Sequence, residues 1–364
     1  MAKAANPGET SASALVTHHV FLDTQVYRSY LHNPDSPPLL VLRDHIAADR
    51  LVLHITDITL AEIKRQLGEF AGEAAAAMKK ARRQFGGWKK RLPTTMTGDL
   101  PEFDEAVVAK AAFQQFRKRA QDDWRVVDHA ATTVAAVAVF RDYFRRKPPF
   151  ENQGSKEFPD AFVVRSLEDW CKQNDERMYV IGADKAMAAA VQNSTVLLHM
   201  QSLPELLQSV AATESPDIIA KANDLLAKSK VRDTLQKEIE TKIDELIPVY
   251  AGGDLADGEV SGHELNGEIE IDEYKVLAAS DRDISVLLRV TVPLKVTIDY
   301  EDRSSATYDN EDGVYFGAEA AEAEIEDEPV IRVFAKLMRK PAGVSSVQLL
   351  TSEFDVNDTY EDYK

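Results

Sequence analysis

The chain has 364 residues, of which 43 are basic and 61 are acidic, and its formal net charge is −18. This length is enough for two domains that each bury a core. The single cysteine excludes a disulfide framework, no apolar run approaches the roughly 20 residues that span a bilayer, and the first residues lack a signal-peptide pattern. We therefore expect a soluble cytoplasmic protein.

The first half of the chain has the pattern of an α/β fold. Residues 1–14 are small and polar, which predicts a disordered tail. Over residues 15–204, short strands rich in aliphatic and β-branched residues alternate with longer helical segments. This alternation predicts a parallel sheet flanked by helices.

A long helical region is predicted between the second and third strands. We expect its first helix to break at Phe85-Gly-Gly-Trp88 and its second helix to run from Asp104 to about Lys147. The segment Ala130–Phe140 is so apolar that we expect it to pack inside the domain.

Residues 205–250 predict a helical connector that ends at Pro248. Apolar residues recur along one face of its last helix, with charged residues opposite. These apolar residues are Val231, Leu235, Ile239, Ile243 and Leu246.

Residues 251–364 predict an acidic antiparallel β domain, because the apolar period changes from 3.6 to 2. Alternation from Ile284 to Ile298 predicts one long strand, and Pro293 within it predicts an edge position or a bulge. Two further strands are predicted at Val330–Met338 and Val344–Leu350. The predicted fold class is therefore α/β followed by a small α+β region.

Four carboxylates stand where a parallel sheet gathers ligands. Asp23 ends an apolar strand, Glu62 opens a predicted helix, Asp160 begins another, and Asp184 follows the strand Met178–Ile181. The carboxyl ends of parallel strands share one crevice, in which four carboxylates would repel one another unless a cation bridged them. All-oxygen sites suit Mg²⁺ or Mn²⁺. The alternative for any single Asp is a helix cap, and Asp57 is a rival to Glu62.

The segments around these carboxylates resemble the motifs of PIN-domain nucleases. The four segments are His19-Val-Phe-Leu-Asp23-Thr24, Thr59-Leu-Ala-Glu62-Ile63, Phe158-Pro-Asp160-Ala-Phe and Ile181-Gly-Ala-Asp184-Lys185. The resemblance covers residues 14–204 and implies a carboxylate-bound metal site for phosphodiester hydrolysis, with Asp23, Glu62, Asp160 and Asp184 as catalytic and metal-binding residues. Thr24 is expected to orient Asp23 or a bound water, or to make a local backbone bond. The family usually has Ser or Thr where this chain has Gly182, which weakens the fourth position.

Basic residues with interleaved aromatics provide a candidate nucleic-acid surface. The densest cluster contains Lys79, Lys80, Arg82, Arg83, Lys89, Lys90 and Arg91, with Phe85 and Trp88 between them. The alternative is a solvated helix face with both aromatics in the core. Lys185 and Lys156, beside the carboxylates, are further candidates, and residues 117–119 and 141–147 are weaker ones. Residues 1–204 are slightly net positive, so all of the net negative charge lies after residue 204, where a polyanion would be repelled.

The predicted function is that of a metal-dependent endoribonuclease that acts on single-stranded or structured RNA. RNA is favoured by the family resemblance alone. Toxin–antitoxin systems, antiviral defence and RNA processing are equally compatible settings. The acidic C-terminal region is expected to restrain the nuclease, to recruit a basic protein partner or to join a second copy of the chain. The alternative is a charged surface that only keeps the domain soluble. The alternative function is a non-catalytic PIN-like interaction or sensing module, which Gly182 favours and the intact Asp23/Glu62/Asp160 set opposes.

Overall fold

The computed structural model describes residues 15–89, 91, 102–150, 157–309 and 314–357. The predicted tail at residues 1–14 lies outside them. The chain divides into two compact units, of which the first ends at Val210 and the second begins at Ala211. Within the described part of the chain, no helix is both long and apolar enough to cross a bilayer.

A five-stranded parallel sheet forms the centre of the first unit. Its strands are β1 (His19–Leu22), β2 (Val52–Thr56), β3 (Val127–His129), β4 (Met178–Ile181) and β5 (Leu197–Met200), in the spatial order β3-β2-β1-β4-β5. Phe21 of β1 pairs with His54 on one side and with Val180 on the other. The carboxyl ends of β1, β2 and β4 therefore meet at one edge of the sheet.

Helices cover this sheet and connect its strands. They are α1 (Thr24–Arg28), α2 (Pro37–Ala47), α3 (Asp57–Lys89), α4 (Glu105–Asp122), α5 (Ala136–Phe144), α6 (Phe158–Asn174), α7 (Lys185–Gln192) and α8 (Leu203–Glu214). The last of them contains the boundary between the two units. The predicted α/β class is confirmed by this arrangement, with antiparallel sheets following in the second unit.

The helical region between β2 and α6 differs from the prediction in two places. Helix α3 continues through Gly86 and Gly87, because each glycine stands in open space and costs an exposed helix only about 1 kcal/mol. The second predicted helix ends early, at Asp122, and is followed by the strand β3. Arg125, with a φ of 45°, turns the chain between them.

The prediction that Ala130–Phe140 packs inside is also wrong. Val139 is buried, but Val137 is 68% exposed and Phe140 is 46% exposed. The second part of this segment lies in a short surface helix, α5, in which Val139 is the buried residue.

Three histidines form a hydrogen-bonded chain across one face of the sheet. His19 Nδ1 lies 2.9 Å from His54 Nε2, and His54 Nδ1 lies 2.7 Å from His129 Nε2. Because His19 begins β1 and His129 ends β3, the chain runs diagonally over the sheet. The indole of Trp170 packs against all three rings. Burial lowers the pKa of each imidazole, so the chain is neutral at pH 7.

The second unit combines two helices with antiparallel sheets. The helices are α9 (Ile218–Leu226) and α10 (Ser229–Glu240), and the strands are β6 (Ile247–Tyr250), β7 (Glu259–Leu265), β8 (Glu270–Ala279), β9 (Asp283–Thr291), β10 (Leu294–Asp302), β11 (Thr307–Asp309), β12 (Val314–Phe316), β13 (Glu319–Asp327), β14 (Val330–Met338), β15 (Gly343–Leu349) and β16 (Glu353–Val356). One sheet has the order β15-β14-β9-β8 and another has the order β13-β10-β7. The apolar face predicted for the connector is buried in the same core as the inner faces of these sheets.

The predicted long strand from Ile284 to Ile298 is two strands. It divides at Pro293 into β9 and β10, which belong to different sheets. Proline cannot donate to a ladder, so pairing stops there and the chain passes from one sheet to the other. Pro248, which was expected to end a helix, instead lies within β6.

Candidate active site

Thr24 holds two of the predicted carboxylates together. Its N–H donates to Asp23 Oδ1 at 2.7 Å, and its hydroxyl donates to Glu62 Oε2 at 2.5 Å. Asp23 directly follows β1 and caps α1. Thr24 is buried, and both hydrogen bonds are partly buried. The first two motifs are therefore joined through one threonine.

Glu62 lies in the second turn of α3 rather than at its start. The hydroxyl of Thr56 accepts a hydrogen bond from the N–H of Thr59 at 3.0 Å, which caps the helix earlier than predicted. Asp57, the rival candidate, accepts from the N–H groups of Ile58 and Thr132. Its carboxylate is thus engaged in joining α3 to the segment after β3.

Asp160 is the third residue of α6, and it does not cap that helix. The N-cap residue is Glu157, whose side chain makes no capping bond. The two side chains instead share a hydrogen bond, so Asp160 and Glu157 form a paired acid at the head of α6. The pKa of the Asp160 carboxyl is raised to about 8, and burial is the largest cause. The hydrogen bond to Glu157 and the nearby charges of Asp23 and Glu62 raise it further.

Burial likewise raises the pKa of the Asp23 carboxyl to about 6. The N–H of Thr24 opposes this shift, and the charges of Glu62 and Asp184 add to it. These electrostatic interactions connect Asp23 to all of the other predicted carboxylates, since Asp160 also responds to its charge. A site that holds its acids at such raised pKa values gains from the arrival of a cation.

Asp184 has a second task as the N-cap of α7. Its Oδ1 accepts from the N–H of Met187 at 2.8 Å, and the residue is exposed. Gly182, two residues earlier, lies against Asp23. A Cβ at position 182 would stand 2.9 Å from Asp23 Cβ and 3.3 Å from its Oδ2. The glycine therefore leaves the space that the Asp23 side chain occupies.

The chemistry of this donor set suits a hard divalent cation. All of the donors are carboxylate oxygens, which Mg²⁺ and Mn²⁺ prefer. Among the described residues, no group of three or more His, Cys, Asp or Glu side chains is arranged to hold a metal ion. Asp23, Glu62, Asp160 and Asp184 therefore stay the predicted ligands.

Comparison with known families decides the identity of this unit. The family model described as PIN domain matches residues 20–187, a range that contains all four carboxylates. These residues form a PIN domain. No curated protein and no solved structure matches the chain. PIN domains are generally nucleases, PIN nucleases bind nucleic acids, and they typically use divalent metals.

The predicted basic cluster lies away from the carboxylates of the PIN domain. Its described members, on α3 or shortly after it, are Lys79, Lys80, Arg82, Arg83 and Arg91. At about 1.5 Å per residue, Lys79 is roughly 26 Å from Glu62 along the helix axis. Phe85 is half-buried. Lys90 and the side chains of Trp88 and Lys89 lie outside the described residues.

Of the two candidate lysines beside the carboxylates, only Lys185 lies in the described part of the chain. Lys185 is exposed and is the first residue of α7, next to Asp184. Lys156 lies outside the described residues. Glu157, by contrast, was missed by the sequence analysis although it stands only three positions before Asp160. No periodicity marks it, because its importance comes from a hydrogen bond that forms only when α6 begins at Phe158.

Proposed function

We propose that the PIN domain is a divalent-metal-dependent endoribonuclease. The observation that carries this proposal is the electrostatic coupling of Asp23, Glu62, Asp160 and Asp184 at one edge of the sheet. A bound Mg²⁺ or Mn²⁺ would supply polarisation of the phosphate, activation of water and neutralisation of charge on the leaving oxygen. Asp23 and Glu62 are held in place by Thr24, and Asp160 carries a proton that a cation would displace. RNA is preferred over DNA because the family resemblance implies it.

The roles of the four carboxylates are not equal in this proposal. Asp23, Glu62 and Asp160 are the main ligands. Asp184 contributes less, because one of its oxygens already caps α7 and its side chain is exposed. Lys185 is proposed to contact phosphate from the first turn of α7. The basic cluster on α3 is proposed to bind substrate at a distance from the cleaved bond.

Cleavage assays test the proposal directly. Labelled single-stranded RNA, single-stranded DNA and duplex are incubated with Mn²⁺, with Mg²⁺ or with chelator. We expect metal-dependent cleavage by the native protein and none by Asp23→Asn, Glu62→Gln or Asp160→Asn, with a smaller loss for Asp184→Asn. The matched control is Asp169→Asn, an exposed carboxylate on the same helix as Asp160. Cleavage that persists in chelator, or no cleavage under any metal, would show that the proposal is wrong.

A second function, as an interaction module, is favoured by the outer face of the β13-β10-β7 sheet. The register places Glu322 directly opposite Asp299, which makes a pair of like charges across neighbouring strands. Such a pair destabilises a sheet. We propose that this face binds a basic partner. Pull-down with polylysine-coated beads, compared between the native chain and a Glu322→Gln/Asp299→Asn variant, should show loss of retention at low salt.

A further inference from the structure

Helix α5 presents an apolar face to solvent. Val137 is 68% exposed, Phe140 is 46% exposed and Phe144 is 77% exposed. Their spacing places all three on one side of the helix. Two exposed phenylalanine rings on one short helix are unusual for a surface that binds nothing, since large apolar groups favour burial.

This face continues to the first turn of α6, the helix that carries Asp160. The Phe140 ring centroid lies 6.3 Å from that of Phe144 and 5.4 Å from that of Phe158. Phe158 is the first residue of α6, in the same turn as Asp160. Phe144, Phe140 and Phe158 therefore form a continuous aromatic ledge that runs from solvent to the head of the helix that carries a proposed metal ligand.

The charge beside the aromatic ledge is positive. Arg141 is exposed on α5 directly after Phe140, and Arg145 is exposed directly after Phe144 at the end of the helix. The one acidic residue of this helix, Asp142, is ion-paired with Arg165 and lies 3.9 Å from Lys147. Its charge is balanced there, so it does not offset the exposed arginines.

We propose that the aromatic ledge binds unpaired bases of a single-stranded nucleic acid next to the bond that is cleaved. Aromatic rings stack on the faces of bases of any sequence, and arginines beside them follow the phosphates. A duplex does not offer its base faces, so the ledge selects single strands. This inference rests on the proposed nuclease function and assigns the unpaired bases of its substrate a binding surface apart from the carboxylates. The alternative occupants, a second copy of the chain or an apolar peptide, are outcomes of the test.

The test uses the full chain with Asp23→Asn, so that substrate is bound without being cut. Binding of a single-stranded RNA, a single-stranded DNA of the same length and a blunt duplex is measured by fluorescence anisotropy. One base carries 2-aminopurine, whose emission falls on stacking. We expect Phe140→Ala/Phe144→Ala to weaken single-strand binding about tenfold or more and to abolish the 2-aminopurine quenching, while duplex binding is unchanged.

Control variants separate stacking from other causes. Tyr308→Ala removes an aromatic ring of similar exposure, 48%, that contacts its neighbour Tyr315 at 4.8 Å in the second unit, and it should have no effect. Phe140→Tyr keeps the ring and should retain binding. Phe144→Ala alone removes the more exposed ring without disturbing Phe158.

Three outcomes would overturn the inference. One is unchanged single-strand affinity and quenching in the double variant. Another is an equal loss of duplex binding. The third is a change of oligomeric state in sedimentation, which would show that the aromatic ledge joins two copies of the chain. Cleavage assays on chains that keep Asp23 distinguish the two proposals. If Phe140→Ala/Phe144→Ala leaves metal-dependent cleavage unchanged, the role of the aromatic ledge is rejected and the nuclease function is not.

Discussion

A Cβ atom on Gly182 would lie 2.9 Å from the Cβ of Asp23, closer than two such atoms can approach. The family to which the PIN domain belongs usually has Ser or Thr at this position, so a glycine there favours the non-catalytic alternative when the sequence is considered alone. The contact suggests a different reason for the glycine. A side chain at position 182, just after β4, would collide with Asp23, so glycine is needed to accommodate that carboxylate.

We predict that Gly182→Ser, which restores the residue usual in the family, lowers cleavage at least tenfold, and that Gly182→Ala does the same. The added atom has to displace Asp23, because the atoms nearest to it are the Cβ and carboxylate of that residue. Cleavage rates at saturating Mn²⁺ measure the effect. Gly86→Ala, at an open position of α3, is the control and should raise stability by about 0.5–1 kcal/mol with no change in rate. Native activity in Gly182→Ser would contradict this account.

A second prediction concerns the threonine that joins the first two motifs. Thr24→Val keeps the shape of the side chain and removes the donor to Glu62, which should reduce metal affinity and cleavage by roughly 10- to 100-fold. Thr24→Ser retains the hydroxyl and should recover most of the loss. Mn²⁺ titration followed by calorimetry separates weaker metal binding from a lower rate at saturation. Equal affinities in Thr24→Val and the native chain would show that Glu62 does not need this bond.

The raised pKa of Asp160, about 8, predicts how the metal-free protein responds to pH. The native state keeps a proton that the unfolded chain has lost above pH 4, so stability falls as pH rises toward 8. In chelator, the melting temperature of the native chain should therefore decrease between pH 6.5 and pH 8, and that of Asp160→Asn should change less. Added Mn²⁺ should raise the native melting temperature more at pH 8 than at pH 6.5, because fewer protons then compete. A flat native profile would mean that Asp160 is ionised throughout.

The histidine chain predicts the opposite dependence at lower pH. Burial, with smaller contributions from His129 and His19, lowers the pKa of His54 to about 3. Below pH 6.5 the unfolded chain gains protons at these residues more readily than the native chain, because the pKa of each is lowered in the native state, so stability is lost as pH falls. Between pH 6.5 and pH 5, His54 alone accounts for about 2 kcal/mol. Urea unfolding at the two pH values should show a smaller loss for His54→Gln than for the native chain; equal losses would assign the effect to other groups.

The basic cluster on α3 provides a fifth prediction. Replacing Lys79, Lys80 and Arg83 by Glu should weaken RNA binding and reduce the slope of log affinity against log salt, by roughly 0.7 for each phosphate that the protein no longer neutralises. Catalysis on a saturating substrate should be unchanged, because the cluster is far from Glu62 along the helix. Replacing Lys230, Arg232 and Lys237 by Glu reverses three exposed cations within α10 in the second unit and controls for net charge. An unchanged slope would identify the cluster as a solvated helix face.

Much of the first unit follows from local patterns. The strand before Asp23 and the strand before Asp184 were recognisable as apolar runs, and a carboxylate after such a run is placed by the sheet itself. The helix of Glu62 was predictable for the same reason, although its first turn was not. Its start depends on the hydroxyl of Thr56, which sequence spacing alone does not distinguish from other caps.

What could not be predicted depends on contacts between distant segments. Strand β3 has only three residues and exists because His54 and its neighbours on β2 offer an unpaired edge. The space against Asp23 that explains Gly182 appears only when β1 and β4 are adjacent. The exposure of Phe140 contradicts its apolar context, because hydrophobicity predicts burial and says nothing of ligand contact.

Helix α3 has a further consequence as a ruler. It runs unbroken from Asp57 to Lys89, so along the helix axis it holds the backbone of Lys79 at a fixed separation of roughly 26 Å from that of Glu62. A stacked single strand advances about 3.4 Å per nucleotide, so a strand that touches both points needs about eight nucleotides between them. Oligonucleotides shorter than this would occupy one end or the other but not both. The length of α3 would then set the size of the shortest oligonucleotide that is cleaved efficiently.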